Sequence, residues 1–118
     1  MATSLDFALF VCEQLETPFP VRYRKMFGEY VIYVNEKPLL LLCDNTVFVK
    51  KLDCVKEFLE NAPTGYPFEG AKEHYVLDIE NRDLTANVLM ELEKVIPIPK
   101  KKRNQTQRNN TFKTIKQT

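Results

Sequence analysis

Residues 21–51 read VRYRKMFGEYVIYVNEKPLLLLCDNTVFVKK, and this stretch indicates the fold of the chain. It is dominated by β-branched and aromatic residues, and turn-forming residues interrupt it at short intervals. That spacing is typical of an antiparallel meander. The stretch therefore predicts four strands, near residues 21–26, 29–35, 38–43 and 46–51.

Side chains alternate between the two faces of a strand, so the pattern also predicts which residues of the meander lie together. Turn-tolerant residues connect the second strand to the third at 35–38 and the third to the fourth at Asp44-Asn45. The second strand is expected to place Tyr30, Ile32 and Val34 on one face and Val31 and Tyr33 on the other.

The run LLLLC at residues 39–43 shows no alternation. Such a run predicts a central strand that is covered on both faces, or covered by a helix on one face and by a partner on the other. We therefore expect this strand to be the best buried in the meander, with Leu41 enclosed.

A helix precedes the meander and two helices follow it. The first is expected over about residues 4–16, with Thr3 and Asp6 as a capping box and Pro18 beyond its end. After the meander, a helix is expected over 54–62, capped by Asp53. An irregular loop over 64–73, with the aromatic anchors Tyr66 and Phe68, then leads to a strand over 74–79. The last helix is expected to be capped by Asn81 or Asp83 and to end before Pro97.

Charge divides the chain into two parts. Residues 1–99 hold ten Lys and Arg against sixteen Asp and Glu, a net charge of −6, whereas residues 100–118 hold seven Lys and Arg and no acid. We expect one folded domain over 1–99 and a basic, disordered tail over 100–118. Such a tail can reach phosphates that the acidic body repels, and a merely solubilising end is the equal alternative.

Cysteine usage and hydropathy indicate the compartment. No apolar stretch approaches the ~18–20 residues that span a bilayer, and the first twenty residues lack the basic start of a signal peptide. The three cysteines, Cys12, Cys43 and Cys54, form no C-x-x-C pair and are expected to be free thiols on apolar faces. The expected location is the cytoplasm.

Residues that could carry catalysis are sparse. The single histidine, His74, has no second strong ligand at metal-site spacing, so a solvent-facing or loop-anchoring role is favoured. The three glycines make no phosphate-binding pattern, and Gly28 is better explained by a tight turn. We expect no enzyme activity, cofactor or metal.

Three cations stand out on the first strand, Arg22, Arg24 and Lys25. Alternation places Arg22 and Arg24 on one face, where they could grip a carboxylate-rich or phosphate surface. The favoured alternative is an edge strand guarded by charge and paired with acids elsewhere in the domain. The candidate anion or nucleic-acid contacts are Arg22, Arg24, Lys25, Lys100, Lys101, Lys102 and Arg103.

Residues 24–33, RKMFGEYVIY, resemble the R-K-M-F-G-G-Y-G-L-Y hallmark of the TfoX/Sxy N-terminal domain family. The order of elements is similar over roughly residues 3–96. Glu29 and Val31 replace glycines of the hallmark, which makes the turn and the second strand less permissive. The residues that carry the motif are Arg24, Lys25, Met26, Phe27, Gly28, Tyr30 and Tyr33.

The resemblance implies a fold and a role. The fold is a two-layer α+β domain of α-β(3–4)-α-β-α order, similar to secretion chaperones. The role is that of a non-catalytic regulatory or protein-interaction module related to competence regulators, which act with the cyclic-AMP receptor protein at promoters of DNA-uptake genes. A protein partner in the transcription machinery and a possible homodimer are therefore expected. The alternative is non-specific nucleic-acid binding through the basic tail.

Overall fold

A computed structural model of the chain describes residues 3–99. Within them, helices and strands follow the predicted order, and two short strands precede the last helix. The elements are α1 (Leu5–Gln14), β1 (Val21–Met26), β2 (Glu29–Val34), β3 (Lys37–Cys43), β4 (Thr46–Lys50), α2 (Asp53–Leu59), β5 (Thr64–Gly65), β6 (His74–Val76) and α3 (Arg82–Val95).

The strands form one sheet in the order β1-β2-β3-β4-β6-β5, and every neighbouring pair is antiparallel. The predicted meander is therefore confirmed, with strand bounds within one residue of those expected. Its three hairpins are closed by two-residue turns in which both residues have positive φ, the pattern of type I′ turns. The turns are Phe27-Gly28, Asn35-Glu36 and Asp44-Asn45.

All three helices pack on the same face of the sheet. Their apolar residues and one set of alternating strand residues form a single buried cluster. The strand residues of this cluster include Tyr30, Ile32, Val34, Leu40, Leu42, Val47 and Val49. The prediction that Tyr30, Ile32 and Val34 share a face is confirmed, and the domain is the two-layer α+β structure expected.

The opposite face of the sheet carries no helix within residues 3–99, and we call it the open face. Its side chains form a row across five strands, because the register pairs Arg24 with Val31, Val31 with Leu41, Leu41 with Phe48, and Phe48 with Val76. Phe48 is buried but lies outside the main core. Gly65 lies close against the Phe48 ring and helps to bury it. A Cβ atom at residue 65 would lie only 3.3 Å from the ring, so the absence of a side chain permits this contact.

The β3 strand differs from its prediction at one position. Four residues of the leucine run are buried, but Leu41 is only half-buried, so the expectation that it is enclosed is wrong. The reason is that Leu41 points to the open face, where no helix covers it. Leu39 is buried because the register shifts opposite Ile32 and Tyr33, which turns Leu39 toward the core.

The helix caps differ from the sequence expectations in two places. Ser4, not Thr3, caps α1, because its hydroxyl accepts from the Phe7 amide and it stands directly before the helix. Asp53 is the first residue of α2, and Leu52 occupies the cap position without a side-chain bond. The predicted cap of α3 by Asn81 is confirmed, since its side chain accepts from the Leu84 amide.

Two segments near β6 also differ. The loop expected over 64–73 begins with the short strand β5, whose Thr64 pairs with Tyr75. The strand expected over 74–79 ends at Val76. A two-residue strand has no detectable periodicity, so only its pairing with β6 reveals it.

Candidate functional site

The first hairpin ends in a turn that we call the M-F-G turn, Met26-Phe27-Gly28. Phe27 is 100% exposed and has a φ of 52°, and Gly28 follows with a φ of 82°. A left-handed backbone costs a bulky residue about 1–2 kcal/mol, whereas glycine adopts it freely. Phe27 therefore has a strained backbone, and its fully exposed ring contributes nothing to the core. This combination points to a role in recognition.

A shallow apolar groove of about 480 Å³ opens beside this turn on the open face. Its lining includes Met26 and Phe27 from the turn, Val31 and Leu41 from the sheet, and Phe68 from the loop after β5. Phe68 is 59% exposed, and Tyr66 in the same loop is also exposed. Of the two aromatic anchors predicted in this loop, Phe68 therefore borders the open face, and neither ring fills the core.

Glu29 holds the M-F-G turn against two other parts of the chain. Its Oε1 accepts from the Thr3 amide at 3.1 Å, from the Thr3 hydroxyl, and from the Asp44 amide at 3.2 Å. The Thr3 amide also donates to the Gly28 carbonyl. The turn is thus fixed to Thr3, two residues before α1, and to the β3–β4 hairpin. Sequence reasoning missed this role, because Thr3 and Glu29 are distant in the chain.

The three cations of β1 have different surroundings. The Arg22 guanidinium makes two parallel bonds to Glu36, at 2.9 and 3.0 Å, and lies over the Tyr33 ring at 4.2 Å. The hydrogen bonds from Arg22 hold the pKa of Glu36 below its usual value. Arg22 therefore fits the alternative in which β1 cations are paired with acids of the domain.

Arg24 and Lys25 are exposed, and neither forms an ion pair within residues 3–99. The register confirms that Arg22 and Arg24 lie on the same face, since Arg22 pairs with Tyr33 and Arg24 with Val31. Arg24 stands at the end of the open-face row, next to the apolar groove. An anion contact at these two residues stays a prediction.

Other motif residues serve the fold. Tyr30 is buried in the core and meets Tyr23 edge to face, and Tyr33 supports Arg22. The predicted tail contacts fall in 100–118, outside the described residues. These are Lys100, Lys101, Lys102 and Arg103.

The thiols and the histidine lie apart from one another. All three cysteines are free, and burial raises the pKa of the Cys43 thiol to about 11 and also raises those of Cys12 and Cys54. His74 Nδ1 lies 2.8 Å from the Lys72 carbonyl oxygen, which matches the predicted loop-anchoring role. Within the described part of the chain, no three His, Cys, Asp or Glu residues cluster as metal ligands.

No helix within residues 3–99 is long and apolar enough to cross a bilayer.

The architecture is a two-layer α+β domain whose first hairpin presents the M-F-G turn. The chain belongs to the TfoX N-terminal domain family, which it matches over residues 13–86. It is also 38% identical over 108 residues to a protein of Spirochaeta aurantia described as an uncharacterized 12.7 kDa protein in the trpE 5′ region. That match covers 90% of this chain and 94% of the relative. No solved structure matches the chain.

Proposed function

We propose that this chain is a non-catalytic regulatory module of the TfoX/Sxy kind, which acts in the cytoplasm by binding a protein partner through its open face. The observation that carries the proposal is Phe27, a fully exposed ring held in a strained turn beside an apolar groove. Natural folds keep such strain where it serves a site. The role in transcription or competence comes from the family to which the chain belongs.

The chemistry of the remaining residues supports a binding role over catalysis. A thiol whose pKa is raised by burial is a poor nucleophile at neutral pH, and Cys43 is the thiol nearest the groove. Aliphatic side chains of the sheet line the groove together with the rings of Phe27 and Phe68. Protein partners are commonly bound by such apolar centres with aromatic anchors.

The test uses substitutions that remove an exposed apolar side chain from one face or the other. Met26→Ala alters the M-F-G turn, and Met90→Ala is its matched control on α3, since the two methionines are 39% and 41% exposed. The gene is deleted in its own host, and transcripts are measured after complementation with wild type, Met26→Ala, Phe27→Asn or Met90→Ala.

We expect wild type and Met90→Ala to restore the transcript pattern, and Met26→Ala and Phe27→Asn to restore it poorly or not at all. A photo-crosslinking residue at position 27 should capture the same protein in every repeat of the crosslinking experiment. The same residue placed at position 90 should not capture it. Deletion without any transcript change would contradict the regulatory role. Full complementation by Phe27→Asn would contradict the site.

A further inference from the structure

The first strand of the sheet has an unusually open edge. β1 pairs with β2 over six consecutive residues without a register shift, and each residue from Arg22 to Met26 is exposed. The strand contains no proline and no bulge to block a further strand. The opposite edge of the sheet is the two-residue strand β5, which is too short to extend.

From this edge and its charges we infer that β1 binds an extended, acidic segment of a partner protein as an added strand of the sheet. The inference rests on the proposed function, whose partner it specifies. An added strand gains affinity from main-chain hydrogen bonds and specificity from alternate side chains. Here the alternate side chains facing the open face are Arg22, Arg24 and Met26.

The charge of the edge argues for an acidic occupant. Residues 1–99 carry sixteen acids and ten bases, yet Arg24 and Lys25, which follow each other in β1 and face opposite sides of the sheet, form no ion pair in the described region. Opposite charges on adjacent strands stabilise pairing, and like charges directly opposite destabilise it. A carboxylate beside Arg24 would therefore complete a cross-strand pair that the domain itself leaves open.

The same rule argues against two other occupants. A second copy pairing through its own β1 would bring together two sets of the cations Arg24 and Lys25, which have no acid partner in the described residues. The segment 100–118 carries seven cations and no acid, so it has the same sign as the edge. An acidic segment from another protein is the occupant that the charges favour.

Apolar side chains in β1 and in the M-F-G turn would add to this binding. Tyr23 is 41% exposed and Met26 is 39% exposed, and Phe27 projects beyond the end of the strand. The apolar groove adjoins Met26 and Phe27. A partner strand with an apolar residue near its end could therefore place it against the M-F-G turn.

The test titrates the full chain with a peptide of about eight residues, the length of a typical strand, in which glutamate alternates with valine. A second peptide carries lysine in place of glutamate. Amide chemical shifts and hydrogen exchange report which residues are bound. Arg24→Glu removes the proposed contact, and Lys56→Glu on α2 is the control, because it is exposed and changes the net charge equally.

We expect the glutamate peptide to shift and protect amides of β1, and the lysine peptide to leave them unchanged. Arg24→Glu should weaken the binding of the glutamate peptide about tenfold, because it replaces attraction with repulsion. It should also allow the lysine peptide to bind, because the new carboxylate attracts lysine. Lys56→Glu should change neither affinity appreciably. Thermal unfolding of both variants checks that the domain remains intact.

Three outcomes of the titration would overturn the inference. The first is no binding of either peptide at β1, which would leave the cations as a guard against pairing. The second is an equal loss of affinity in Arg24→Glu and Lys56→Glu, which would indicate bulk charge only. The third is that a single-stranded oligonucleotide shifts the same amides and binds more tightly than the glutamate peptide, which would indicate phosphate recognition. In the crosslinking experiment, equal capture of the partner at position 27 in wild type and in Arg24→Glu would exclude the edge while the proposed function stands.

Discussion

At the residue scale, Phe27 combines two properties that rarely occur together. Its ring is fully exposed, and its backbone has the positive φ that asparagine or glycine would occupy without strain. The R-K-M-F-G motif shows that a phenylalanine stands here, but only the fold shows that it is strained. The structure therefore places the Phe27 of this motif beside the apolar groove on the open face.

Replacing Phe27 with asparagine should make the domain more stable while impairing its function. Asparagine followed by glycine is a preferred sequence for this turn type, and the exposed ring makes no core contact. We expect Phe27→Asn to raise the free energy of unfolding by about 1 kcal/mol in urea denaturation. Phe68→Asn is the control, since Phe68 is exposed without positive φ and should give no gain. A less stable Phe27→Asn would mean that the ring packs on the domain.

At the element scale, β3 is the strand on which the two faces of the sheet differ most clearly. Leu40 and Leu42 point to the helices and are almost completely buried, whereas Leu41 points to the open face. The uninterrupted leucine run allowed either coverage of both faces or coverage of one. Within residues 3–99 the helices cover one face only, and a partner on the other face stays a prediction.

Two substitutions on β3 should therefore have different costs. We expect Leu42→Ala to lower the free energy of unfolding by about 2–5 kcal/mol, because it empties a site in the core. Leu41→Ala should cost about 1 kcal/mol, because the side chain is only half-buried. Equilibrium urea unfolding measures both. Equal losses would show that something covers the open face in the isolated protein.

At the scale of the whole molecule, the charges are distributed unevenly. All the acidic residues lie within residues 1–99, whereas every charged residue in the segment 100–118 is basic. Within residues 3–99, Arg24 and Lys25 at the β1 edge form no ion pair, and neither do Lys50, Lys56 and Lys72. The other cations are paired with acids, as Lys37 is with Glu93 at 2.9 Å. The hydrogen bond from Lys37 lowers the pKa of Glu93 and ties α3 to the sheet.

Removal of residues 100–118 tests the alternative function in nucleic-acid binding. If the basic segment contacts phosphates, the full chain should bind duplex DNA weakly, with micromolar or weaker affinity and a salt slope of about −0.9 per phosphate contact. The truncated chain, with a net charge of −6, should lose this binding. Electrophoretic mobility shifts over a range of salt concentrations measure both. Equal binding by the truncated chain would place the contact in the fold, with Arg24 and Lys25 as the next residues to replace.

The sequence by itself determined the meander, its turns and the two-layer α+β class. Those features depend on alternation and turn chemistry between residues close in the chain, which local pattern records directly. The tertiary structure alone decided which face of the sheet stays open, that Glu29 fixes the M-F-G turn through Thr3, and that Arg22 is paired with Glu36 while Arg24 is free within the described residues. Each of these depends on how distant elements pack, and side-chain periodicity carries no information about the partner that a distant element supplies.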